Sequence, residues 1–94
     1  MDDYGFVWNQ DKYQRVIEHH GVRFFEVVSV FDDPRGRDYP DPQQHPDRWV
    51  LVGRSSTARV LAVIYSEDDA PLYRIITAFE AEGQLLDEYN QDNP

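Results

Sequence analysis

Ninety-four residues bound the chain to a single domain, residues 1–94, with a core of modest size. It has no cysteine, which excludes disulfides and thiolate zinc sites. Nine basic against 18 acidic residues give a formal charge of -9, which argues against a general DNA or RNA binder, because such binding rests on neutralising phosphates.

No N-terminal stretch resembles a secretion signal, and no apolar run approaches the roughly 20 residues of a membrane span. The expectation is a soluble cytoplasmic protein without membrane contact. The charge is uneven. From Arg35 to Arg59 there are five arginines against Asp38, Asp41 and Asp47, whereas after Arg74 the only charges are Glu80, Glu82, Asp87, Glu88 and Asp92. The middle of the chain is therefore its anion-facing region.

In chain order, "GFVW" reads as a short edge strand. Asn9 then suits a helix N-cap, and Tyr13, Val16, Ile17 and His20 follow at the spacing of one helical face, closed by Gly21. A helix is expected over Gln10–His20. In "VRFFEVVSVF" propensity favours a strand, but Phe24, Val27, Val28 and Phe31 again repeat at helical spacing. This predicts a short second helix, ended by Asp32, Asp33 and Pro34. Residues 34–47, rich in proline, read as a long extended loop of the kind that carries function. Three strands follow, "RWVLVG", "RVLAVIY" and "LYRIITA", joined by short polar turns as an antiparallel meander. Helical spacing returns from about Phe79 to Tyr89, and residues 90–94 read as a flexible tail. The fold class is α+β, in the order β-α-α-β-β-β-α, with helices on one face of the sheet.

The residues that can carry chemistry are few. Adjacent positions on a helix point about 100° apart, so His19 and His20 do not readily share a metal ion. His20 falls on the apolar face, where a hydrogen-bonded structural histidine is the simpler reading, and His19 is free to reach a site as a general acid or base. His45 has no sequence partner. No metal and no cofactor are expected. Arg48, Arg54, Arg59 and Arg74 lie on or beside the strands, where guanidiniums can clamp a phosphate or simply pair with surface acids. Tyr39, Tyr65 and Tyr73 can stack bases or pack in the core. No P-loop, nucleophile elbow or dinucleotide fingerprint is present.

Several stretches together resemble the BrnT family of type II toxins, which has a RelE-like fold. Phe6, Trp8 and Lys12 are similar to the family's opening Phe-x-Trp-Asp-x-x-Lys, with Asn9 in place of aspartate. His20, Gly21, Val22, Phe24 and Glu26 resemble its Lys-His-Gly-Val-x-Phe-Glu signature, with His19 in place of lysine. "VFDDP" at Val30 to Pro34 is similar to the close of its second helix. Arg48, Gly53 and Arg54 fit an Arg-x-x-x-x-Gly-Arg strand. Arg74, Ile76, Thr77 and Ala78 fit an Arg-Ile-Ile-Ser-Ala-Arg strand, whose last arginine is Phe79 here, and Tyr89 fits the tyrosine of the last helix.

The resemblance implies an endoribonuclease in which the ribose 2′-hydroxyl attacks the adjacent phosphate. Arg74, Arg54 and Arg59 would bind the phosphate, His20 or His19 would carry the proton, and Arg48, Lys12 and Tyr73 would hold RNA. It implies a BrnA-like, ribbon-helix-helix antitoxin as partner, through which alone DNA is bound. The alternative is a catalytically impaired protein-binding module, given Phe79 and the net charge.

Overall fold

The computed structural model describes residues 5–40, 47–67 and 72–92, apart from the side chains of Lys12, Val16 and Asp92. His45 lies outside them, as does part of the proline-rich loop. The elements are β1 (Gly5–Trp8), α1 (Gln10–His20), α2 (Phe24–Val30), β2 (Arg37–Pro40), β3 (Arg48–Arg54), β4 (Val60–Ser66), β5 (Leu72–Glu80) and α3 (Gly83–Asp92). Both helices predicted before Pro34 are present. α1 stops at Gly21, whose φ of 63° is the left-handed conformation that a side chain disfavours. Its amide bonds the Ile17 carbonyl at 3.0 Å.

Five strands form one sheet in the order β1-β5-β4-β3-β2. The meander β2 to β5 is antiparallel, as expected of the strands it was read from. Three expectations are corrected. β1 runs parallel to β5, pairing Gly5 with Leu72 and Trp8 with Ile75. Part of the presumed loop over residues 34–47 is the edge strand β2, which pairs Arg37 with Val52 and Pro40 with Trp49. Phe79 and Glu80 continue β5 instead of opening the last helix, which begins at Gly83 and runs to Asp92, into the presumed tail.

The helices also occupy both faces of the sheet. α2 buries Val27 and Val30 against Leu51, Leu61 and Val63. α3 sets Tyr89, Leu85 and Leu86 against Val50, Val52 and Ala62 on the opposite face. Alternate residues of β3 and β4 therefore enter two cores, which is why these strands are apolar nearly throughout. Each large apolar side chain removed from water contributes about 1.5–3 kcal/mol. α1 is held beside the sheet by ring contacts: Tyr13 meets Trp8 edge-on at 5.1 Å, and Trp8 meets Phe24 at 5.3 Å. Among the described residues, no helix is long and apolar enough to cross a membrane.

Candidate functional site

The end of α1 and the end of β5 meet in a pocket of about 380 Å³ lined by His19, His20, Phe79, Glu80 and Glu82. Sequence places these residues there for local reasons. Gly21 terminates α1 with both histidines in its last turn, where they complement the helix dipole. β5 outruns its apolar stretch because Phe79 and Glu80 pair with Ala62 and Leu61. The His20 and Phe79 rings lie 6.0 Å apart. Both histidines are exposed, so the apolar-face reading of His20 is corrected.

Behind the pocket stands Arg59, and its guanidinium joins three segments. One terminal nitrogen donates to the Gly21 carbonyl at 2.9 Å and to Glu26 Oε2 at 3.2 Å. The other donates to Glu80 Oε1 at 3.1 Å. The two carboxylates differ in setting. The Glu26 side chain is 7% exposed and that of Glu80 is 59% exposed. Glu26 also accepts from the Arg23 amide, the reach-back half of a capping box, and from the Thr57 hydroxyl at 3.0 Å. The inner contacts are thus a packed network and the outer one a solvent-screened pair.

The four strand arginines do not converge on one pocket, which corrects the expected clamp. Arg48 and Arg54 sit at opposite ends of β3, six residues or roughly 20 Å apart. Arg54 and Arg59 share the hairpin end of the sheet. Arg54 belongs to a second pocket of about 350 Å³, with Ser29, Asp32, Asp33, Ser55 and Ser56. Its amide donates to Asp33 Oδ2 at 2.7 Å. Arg48 and Arg74 share the other end, in register through Ser66 on β4. Arg48 Nε is buried there without a hydrogen-bond partner, and Arg74 is exposed and engaged in a contact of its own.

Lys12 lies on α1. Tyr73 packs among Phe6, Phe31 and Tyr65, with centroids 5.1 to 5.9 Å away, so it builds core instead of offering a face for bases. Tyr65 is buried and donates to Asp38 at 2.8 Å, and Tyr39 packs on the α3 side. Among the described residues, no three His, Asp or Glu side chains are grouped to hold a metal ion.

Sequence reasoning gave Glu26, Asp33 and Glu80 no role at the site. Asp33 gathers the Arg35 and Arg54 amides and the Tyr89 hydroxyl. Burial works to raise its pKa, but these hydrogen bonds and the Arg54 charge outweigh it and hold the carboxyl below its ordinary value. Glu26 carried a signal in the sequence: it is the lone charged residue of a short, mostly apolar helix, which implies a buried partner.

Comparison with known proteins completes the picture. Residues 8–84 match the profile of one family, described as the ribonuclease toxin, BrnT, of type II toxin-antitoxin system. In fold the chain is similar to the crystal structure of the Brucella abortus ribonuclease toxin, BrnT. The TM-score is 0.68 at 19% identity, over 86% of this chain and 100% of that one. No curated protein matches by sequence.

Proposed function

The chain belongs to the BrnT family of ribonuclease toxins of type II toxin-antitoxin systems, and on that premise we propose that it cleaves RNA slowly at the pocket between α1 and β5. The observation that carries this reading is the meeting of His19 and His20 with a guanidinium-bearing sheet end. A ribose 2′-hydroxyl presented there loses its proton to one imidazole. Its oxygen bonds to the adjacent phosphorus as the bond to the 5′ oxygen breaks. The other imidazole, protonated, supplies the leaving oxygen with a proton. The products are a 2′,3′-cyclic phosphate and a 5′-hydroxyl end.

Slowness follows from the lining. The phosphoryl oxygens gain charge in the transition state, and positioned donors normally offset it, each donor being worth about 10²–10³ in rate. Here Phe79 offers no donor, Glu80 and Glu82 repel the charge, and Arg59 is shared between two carboxylates. Arg48 and Arg74, at the far end of the sheet, are too distant to touch the same phosphate and serve to hold the RNA backbone. The partner is an antitoxin, of the ribbon-helix-helix, BrnA-like kind. It works with this toxin in the cytoplasm and supplies any contact to DNA.

Cleavage of a mixed-sequence RNA by purified chain tests the reading. The wild type gives a low rate, Phe79→Arg raises it about tenfold or more by restoring a donor, and replacing both histidines by alanine abolishes it. A Phe79→Arg chain that is folded yet cleaves nothing would leave the second reading, a module that binds its antitoxin without cutting RNA. The two glutamates on the pocket wall favour that second reading.

A further inference from the structure

We infer that Glu80 is a built-in phosphate mimic, a carboxylate latched onto the face of Arg59 that would otherwise hold the phosphate of RNA. The inference rests on the reading of the α1–β5 pocket as the reaction centre and names what restrains it. Arg59 is already anchored: its inner nitrogen is fixed by the Gly21 carbonyl and by Glu26. Glu26 is itself immobilised by the Arg23 amide and Thr57. The inner half of the guanidinium therefore needs nothing more, and its direction is set by three elements of the fold.

The outer nitrogen donates instead to a carboxylate oxygen of Glu80, a residue of the pocket wall, at 3.1 Å. Carboxylate and phosphate oxygens compete for the same planar donor, since both accept charge-assisted hydrogen bonds from guanidinium. Glu80 is the exchangeable one of the two acids. Its side chain is mostly in water, and an exposed ion pair of this kind is weak enough for an incoming anion to displace. It is also a member of the pocket wall, which it shares with both histidines. Glu82 lines the same wall without bonding Arg59. The pair thus separates a latch from simple repulsion: both acids weaken an anion's attraction through their charge, but one alone takes its donor.

Inorganic phosphate is the probe, titrated into the full chain at one fixed pH while the imidazole proton resonances of His19 and His20 are followed. Glu80→Ala is expected to bind phosphate about fivefold more tightly than wild type, the equivalent of removing one exposed competitor. Glu82→Ala, which removes the same charge, is expected to change binding less than twofold. Both side chains are exposed, so neither variant disturbs the core. A second variant, Arg59→Lys in the Glu80→Ala background, returns the affinity to the wild-type level, because a lysine lacks the planar fork. Equal gains in Glu80→Ala and Glu82→Ala, or no gain in Glu80→Ala, overturn the latch. RNA cleavage is read separately. Tighter phosphate binding without cleavage in Glu80→Ala upholds the latch and defeats the nuclease reading, whereas cleavage without tighter phosphate binding does the reverse.

Discussion

The Tyr89 hydroxyl donates a 2.6 Å hydrogen bond to Asp33 Oδ2, fastening the last helix to the segment that leaves α2. Tyr89 is 2% exposed, so its hydroxyl has no bulk water to turn to. Replacing it with phenylalanine removes the bond to Asp33, along with a contact to the Arg54 side chain, and leaves the two amides on that carboxylate in place. Tyr89→Phe is expected to lower stability by about 1.5 kcal/mol, read as a lower midpoint in urea at unchanged slope.

Asp33 makes stability depend on acid. Its folded-state pKa is depressed, so the stabilisation is complete above the unfolded value of about 3.9 and is lost as pH falls through the lower folded value. In urea titrations between neutral and strongly acid pH, the wild type should lose stability more steeply below that point than Asp33→Asn. At neutral pH the variant should be the less stable of the two.

Three tyrosines behave in the opposite sense. Burial first, then a carboxylate partner, raises the pKa of Tyr65 beside Asp38, Tyr39 beside Glu88 and Tyr89 beside Asp33. Their contribution is complete below the unfolded value of about 10 and is lost as pH rises above it. Ultraviolet titration should therefore show these phenols ionising together with alkaline unfolding, not before it.

Arg59 and Glu80 form one ion pair yet should differ as mutants. Arg59→Ala leaves the Glu26 carboxylate buried without its cation and is expected to cost about 3 kcal/mol. Glu80→Ala breaks only the exposed pair and should cost under about 0.5 kcal/mol. Denaturant midpoints of the two variants check the contrast.

Gly53 lies where β3 passes under α2. A Cβ there would stand 3.0 Å from Val30 Cγ1 and 3.3 Å from Asp33 Oδ2. Gly53→Ala should destabilise by about 1–3 kcal/mol and, by pressing on Asp33, shift the acid transition to higher pH.

Much of this architecture was legible in local spacing. The i, i+3, i+4, i+7 repeats marked α1 and α2, and the apolar runs marked the cores of β3, β4 and β5. β2 was not legible, because Arg-Asp-Tyr-Pro has neither apolar alternation nor strand propensity. Its conformation comes from pairing with β3, and its charges and proline suit an edge. The end of β5 was missed for a related reason: Phe79 and Glu80 are held by partners on β4, beyond the reach of their own sequence neighbours. The two-faced sheet did have a signal. "WVLVG" and "VLAVI" are apolar at nearly every position, the mark of strands covered on both sides.

At the site, the sequence offered arginines and histidines as candidates but not their partners. Sequence places Arg59 just before β4. It does not say that Glu26, from a helix 33 positions earlier, will be waiting there.

The pairing of β1 with β5 also governs when this molecule comes into being. A ribosome adds about 5–20 residues per second, and throughout that time the first strand has nothing to lie against until the chain from Leu72 onward has emerged. β5 separates β1 from the β2–β4 ribbon, so no partial chain can close the sheet early. The pocket is born with β5 as well, since Phe79 and Glu80 are its wall. A nascent chain therefore carries His19 and His20 without their pocket until Phe79, Glu80 and Glu82 have been added.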